Sequence, residues 1–176
     1  DQLRSEAKSV IVDLQAMGFD VELLSGDRPG PVKLAAEEVG IKEWRAECRP
    51  GEKVARLEEL TSQGRKVLMI GDGLNDAPAL AAGFASMSPS EAADISQTAA
   101  DLIYQSDKMP TIVSAIKTAR LANRLVRQNF GLAFLYNVIA VPIAVAGFAT
   151  PLVAAVAMSS SSIVVTLNAF RLRLLR

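Results

Sequence analysis

The chain has 176 residues, half of them apolar and only 5% aromatic, enough for one compact domain and an appendage. Histidine is absent, which excludes a histidine metal site or a histidine general base, and the single cysteine, Cys48, excludes an internal disulfide. The formal charge of zero hides a split: all 19 acidic residues lie between Asp1 and Asp107 with 11 basic ones, whereas Lys108 to Arg176 carries 8 basic residues and no acidic one. An acidic head joined to a cationic, apolar tail is the pattern of a membrane protein, and it gives no reason to expect a nucleic-acid partner.

The start, Asp1 to Lys8, is too polar for a signal peptide and reads as an opening in mid-domain. Val10, Ile11, Leu14 and Met17 recur at helical spacing, with Gly18 as a stop. Val21 to Leu24 reads as a short strand ending at Ser25-Gly26-Asp27. A helical pattern from about Pro31 to Val39 is closed by Gly40, and Trp44 to Glu47 fits a brief strand. A third helix fits Glu52 to Gln63, with Val54, Leu57 and Leu60 on one face and Gly64 beyond its end. Val67-Leu68-Met69-Ile70 is continuously apolar, as a strand buried on both faces must be, and it stops at Gly71-Asp72-Gly73. This alternation predicts an open, mostly parallel sheet with helices on both sides. Ligands of such sheets sit at the carboxyl ends of the strands, where Asp27 and Asp72 fall.

The segment from Gly71 to Leu80, GDGLNDAPAL, carries the most chemistry. Two glycines let the backbone turn off a strand and approach a phosphate closely. Asp72 and Asp76 offer hard oxygen ligands suited to Mg²⁺, Asn75 offers an amide donor, and Pro78 suits the first turn of a helix starting near Asp76. A lone Gly-Asp-Gly is more often a helix-capping loop, so the whole string is what distinguishes this one.

The string resembles the hinge motif of P-type ATPases, which share the haloacid dehalogenase-like fold. Ser25-Gly26-Asp27 is similar to the family's Thr-Gly-Asp motif, with the hydroxyl retained, and Arg49-Pro50-Gly51-Glu52-Lys53 is similar to its Pro-x-x-Lys element. The resemblance implies that Ser25, Gly26, Asp27, Lys53, Asn75 and Asp76 belong to the catalytic machinery. It also implies that Lys53 neutralises phosphate and that Asp72 and Asp76 serve Mg²⁺. The family's nucleophile, an Asp in Asp-Lys-Thr-Gly-Thr, attacks the γ-phosphoryl group of ATP. Neither that motif nor a nucleotide-binding domain occurs in these residues. The expectation is therefore a carboxy-terminal fragment, inactive by itself, of an enzyme that uses ATP as substrate.

Gln128 to Phe170 holds 43 residues without a formal charge, against the roughly 20 that one membrane-spanning helix needs. Two crossings, 128–148 and 150–170, are expected around a break at Gly147, Thr150 and Pro151. Arg120, Arg124 and Arg127 precede the run, and Arg171, Arg173 and Arg176 follow it in a basic tail, 171–176. Positive flanks place both ends in the cytosol, so an integral protein of the plasma or inner membrane is expected. Residues 110–127, with Ile112, Val113, Ile116 and Ala119 on one face, form a connecting helix after the phosphorylation-domain portion, 1–109. The expected fold is an α/β haloacid dehalogenase-like portion with an incomplete parallel sheet, followed by a two-helix transmembrane hairpin.

Polar groups inside apolar spans are functional suspects. Cu(I) is soft and favours thiolate and thioether ligands, whereas hard cations need carboxylates, and this hairpin has a methionine and no carboxylate. Methionine alone also packs helices, and serines alone make small-residue contacts. The Tyr-Asn pair followed by Met-Ser-x-Ser-Ser resembles the last two helices of copper-transporting P-type ATPases. That resemblance implies a transport site for Cu(I) at Tyr136, Asn137, Met158 and Ser162, with a copper chaperone as a candidate partner. Met87-Ser88-Pro89, in place of a glycine-richer loop, together with the Ala140–Ala144 and Ala149–Val153 strings, resembles the bacterial subgroup that supplies copper for oxidase assembly. The competing readings are a membrane-tethered phosphatase of the same fold, a pump for zinc or cadmium, and a membrane-anchored regulatory protein without turnover.

Overall fold

The computed structural model describes residues 6–104, 108–148 and 150–174, which divide near Val113 into two compact units. The first unit alternates helix and strand: α1 (Ala7–Ala16), β1 (Glu22–Leu24), α2 (Pro29–Val39), β2 (Glu43–Arg45), α3 (Pro50–Ser62), β3 (Leu68–Ile70), a 3₁₀ turn (Leu74–Asp76), α4 (Ala77–Ala82), β4 (Ala85–Pro89), α5 (Asp94–Ala99) and β5 (Leu102–Tyr104). Both α2 and α3 begin about two residues before their apolar pattern does. Pro29 and Pro50 stand in their first turns, where a missing N–H costs nothing. The Glu52 carboxylate then reaches back to accept the Arg49 N–H at 2.6 Å. Gly40 and Gly64 follow the two helices with φ of +81° and +78°, a left-handed turn that a side chain would oppose.

All strand pairs are parallel, but among the described residues they form two ladders rather than one sheet: β1–β2, and β3–β4–β5. Side chains join what the backbone does not. Leu24 of β1 packs on the same cluster as Leu57, Met69, Ala79 and Leu80, which come from α3, β3 and α4. An ion network adds to this: the Arg56 guanidinium lies 3.0 Å from Glu22 and 2.7 Å from Glu59, and Arg45 reaches Glu22 at 3.1 Å. The hydrogen bonds it donates to Glu22 and then to Glu59 hold Arg56 above its ordinary pKa.

The sequence reading assigned no element to 85–107, yet β4 is the middle strand of the larger ladder, with Ser86, Met87, Ser88 and Pro89 all buried. Serines at alternate positions conceal an interior strand from a hydropathy pattern. Ser86 is tolerated because Asp101 satisfies it: the Ser86 N–H and hydroxyl donate to that carboxylate at 2.8 and 3.0 Å, and the Asp101 N–H donates to the Ser86 hydroxyl at 3.0 Å.

The second unit contains most of α6 (Pro110–Val145) and all of α7 (Pro151–Leu174). The expected connecting helix and first crossing are a single helix, since no breaker separates 127 from 128. The basic tail expected from 171 is likewise helical through Leu174; Arg171 and Arg173 occupy the last turn of α7, where cations meet its free carbonyls. Residues 175 and 176 lie outside the described ones, as does Ala149 of the expected break. Both helices are long and apolar enough to cross a membrane. The Asn168 amide donates to Asn129 Oδ1 at 2.8 Å, which pairs the start of one apolar run with the end of the other in an antiparallel hairpin.

Candidate active site

The first half of the site is the turn after β1. Ser25 extends the β1–β2 pairing by donating its N–H to the Arg45 carbonyl at 3.0 Å. Its hydroxyl then accepts the Asp27 N–H at 3.2 Å and donates to Asp27 Oδ2 at 3.2 Å, closing a tight local turn. The Cys48 and Glu47 N–H groups donate to the carbonyls of Ser25 (2.9 Å) and Asp27 (2.8 Å). Glu47 adopts φ +53°, which ends β2 two residues before the sequence pattern does. The Ser25-Gly26-Asp27 turn is thereby fastened to the segment that leads into α3 and Lys53, while Gly26 and Asp27 remain exposed.

The second half is the turn after β3. Lys53, in the first turns of α3, is 7% exposed, and its Nζ lies 2.6 Å from Asp76 Oδ1. The other Asp76 oxygen accepts the Gly73 N–H at 3.3 Å. Two charges taken out of water need this closeness, because the desolvation of each is offset only by its partner. Gly71 is required by space: a Cβ there would stand 2.8 Å from Asp76 Cβ and 3.0 Å from its Oδ2. From the other side, the Ser96 hydroxyl of α5 donates to the Gly73 carbonyl at 2.6 Å, and the Ala93 N–H donates to the Asp72 carbonyl at 3.4 Å. The sequence reading missed Ser96, which lies in a short polar helix with no motif to mark it.

The structure thus joins Lys53, Asp76, Gly71 and Gly73 directly. Asp72 and Asn75 are exposed on the same turn. Among the described residues no hydrogen bond or ion pair links Ser25 or Asp27 to Asp72 or Asn75, and no three acidic or cysteine side chains converge as a metal cluster. With both oxygens of Asp76 engaged, Asp72 is the open hard-oxygen donor. That fits Mg²⁺, which takes one or two carboxylates and fills its remaining positions with water and substrate phosphate. In the hairpin, Tyr136 is half-buried, and the Asn137 amide donates to the Ala133 carbonyl of its own helix at 3.0 Å. Met158 is 69% exposed and Ser162 is exposed. No hydrogen bond among the described residues brings Tyr136 or Asn137 to Met158 or Ser162.

The tight fit at Gly71 generates a test. Gly71→Ala should destabilise the first unit by about 1–3 kcal/mol through overpacking and displace Asp76 from Lys53. Gly51→Ala, with nothing within 4 Å of the added Cβ, should be neutral or slightly stabilising. Thermal unfolding of both variants checks this, and equal midpoints would contradict it.

Residues 1–83 match the haloacid dehalogenase-like hydrolase family. The nitrogen fixation protein FixI of Bradyrhizobium diazoefficiens is 52% identical over 171 residues, covering 97% of this chain and 23% of that protein. The copper-transporting ATPase of Helicobacter felis is 38% identical over 180 residues, covering 98% of this chain and 24% of that protein. Among solved structures, a zinc-transporting PIB-type ATPase in its E2.Pi state superposes with a TM-score of 0.92 at 31% identity, over 98% of this chain and 28% of that one. The catalytic domain CopB-B of a CPx-ATPase superposes with a TM-score of 0.60 at 38% identity, over 65% and 46% of the two chains. The chain spans about a quarter of the length of the curated relatives it matches. Sequence and fold agree: the chain belongs to the P-type ATPases of the PIB type, and comprises a haloacid dehalogenase-like portion followed by two long apolar helices.

Proposed function

We propose that the chain is part of an ATP-driven pump that exports Cu(I) from the cytosol through an aspartyl-phosphate intermediate, the phosphorylated Asp lying outside these 176 residues. Residues 1–109 would then belong to the phosphorylation domain, 110–127 to the connecting part of α6, and 128–148 and 150–170 to two membrane crossings. Both ends of the hairpin would be cytosolic, with a copper chaperone as a candidate donor of the ion. The observation that carries the enzymatic reading is the buried Lys53–Asp76 pair beneath the Gly71–Gly73 turn. Phosphoryl transfer is catalysed mainly by positioning and charge compensation, and these residues supply both. Asp76, itself held by the Gly73 N–H, fixes the Lys53 ammonium in place. Asn75 can donate hydrogen bonds to phosphoryl oxygens, and so can Ser25 once its hydroxyl turns away from Asp27 Oδ2. When bound, Mg²⁺ would supply Lewis-acid neutralisation of phosphoryl charge, with Asp72 as its ligand and Asp76 in support.

The ion assignment rests on ligand chemistry: a charge-free hairpin with a thioether at membrane depth favours a soft cation. The relative from Helicobacter felis is named for copper, while a similar solved structure is named for zinc, so the tests must separate the two metals.

In the full-length pump, Asp72→Ala should lower phosphoenzyme turnover by on the order of a hundredfold or more, several kcal/mol of lost charge stabilisation. Wild-type rates, measured with radiolabelled ATP, would remove Asp72 from the mechanism. Met158→Leu keeps the volume, commonly at a cost under about 1.5 kcal/mol, and deletes the sulfur. Copper-stimulated ATPase activity should fall sharply in the folded variant. Full retention of copper stimulation would exclude Met158, and equal stimulation of the unaltered pump by Zn²⁺ would show that the cargo is not copper alone.

A further inference from the structure

The amino-terminal part of α6 within the second unit carries a feature that phosphoryl transfer and ion binding do not use. Arg120 stands three and four residues before Asn123 and Arg124, and Arg124 three and four before Arg127 and Gln128, which aligns the five on one helix face. All five are exposed, and together they line a shallow recess of about 450 Å³. The opposite face is apolar, with Leu125 only 5% exposed. No acidic side chain occurs anywhere from Lys108 to Arg176.

Its depth relative to the apolar run is fixed by chain position. Arg127 directly precedes the 43 charge-free residues, and the Asn129–Asn168 hydrogen bond marks the level where that run begins on α6 and ends on α7. Arg171 and Arg173 continue α7 past the same level, and the Arg171 guanidinium donates to Asn168 Oδ1 at 3.3 Å. A helix face of guanidinium and amide donors at the edge of a hydrocarbon layer meets phosphate there, since guanidinium pairs with phosphate through two parallel N–H donors.

We propose that this face is a binding site for anionic phospholipid headgroups, held chiefly by Arg124 and Arg127 with Asn123 and Gln128 as neutral donors. The proposal rests on the reading of the hairpin as membrane-spanning. The occupant is a lipid rather than a soluble phosphate because the recess adjoins the apolar run directly, so an acyl chain can lie along α6 while its headgroup fills the donors.

The test places the full-length protein in vesicles of equimolar phosphatidylcholine and phosphatidylglycerol. The motionally restricted fraction of spin-labelled phosphatidylglycerol is compared with that of spin-labelled phosphatidylcholine. The unaltered protein should favour phosphatidylglycerol by about fivefold, the effect of roughly one arginine at an anionic surface. The double substitution Arg124→Gln and Arg127→Gln should abolish the preference. Lys33→Gln with Lys42→Gln, which removes two exposed charges from the first unit, should leave it intact. Inorganic phosphate should displace the label no more than chloride of equal ionic strength. Restricted lipid without headgroup preference, a preference that survives the arginine substitutions, or specific displacement by phosphate would each overturn the site while leaving the membrane hairpin standing. No restricted lipid of either kind would overturn the hairpin itself.

Discussion

A lysine and an aspartate held 2.6 Å apart, with side chains only 9% and 14% exposed, set the terms for the first unit. Neither charge is stable in that environment alone, so the elements carrying them must stay in register. Lys53 comes from α3, and Asp76 comes from the turn after β3. Gly71 has no room for a side chain because Asp76 occupies it. Gly73 gives its N–H to the same carboxylate and its carbonyl to Ser96 of α5. The ion pair, the glycines and the α5 clamp thus specify a single loop conformation, which leaves Asp72 and Asn75 pointing away from the core, exposed.

The same economy appears in how α3 is anchored. Its amino-terminal end is tied to the Ser25-Gly26-Asp27 turn through the N–H groups of Glu47 and Cys48. Its middle is tied to β1 and β2 by Arg56, Glu22 and Arg45. Its apolar face supplies Leu57 to the core, 2% exposed. One helix therefore links both motif-bearing turns, which explains why two parallel ladders that share no strand pairing among the described residues form a single unit. The second unit follows a different rule: apolar side chains cover most of its two helices, the side chains of Asn137, Ser159 and Ser160 bond carbonyls of their own helices, and Asn129 and Asn168 bond each other.

What could be read from the sequence tracks how locally each feature is determined. The β3 turn was legible because glycines and carboxylates at fixed spacing carry their own geometry, and the two long helices because hydropathy alone specifies them. The helix stops at Gly40 and Gly64 were legible for a similar reason, since a left-handed residue announces itself. By contrast, β4 was hidden because Ser86 and Ser88 break its apolar pattern, and Ser86 is acceptable inside only because Asp101, fifteen residues on, satisfies it. The Ser96 contact and the split of the strands into two ladders depend on tertiary proximity and leave no periodic trace. The proposed ion ligands are the extreme case: a methionine and a tyrosine-asparagine pair acquire meaning only from family resemblance, and no hydrogen bond among the described residues links them.

The central claim is that Lys53 and Asp76 act as one charged unit serving phosphoryl transfer, and a double-mutant cycle in the full-length pump tests it most directly. Lys53→Met, Asp76→Asn and the combination are compared by thermal unfolding and by phosphoenzyme formation. Each single substitution should destabilise by about 3–5 kcal/mol, because it strands a buried group, while the combination should cost far less than the sum. All three should lose phosphoenzyme turnover. Additive stability losses, or a double variant that turns over at the rate of the unaltered pump, would contradict the account.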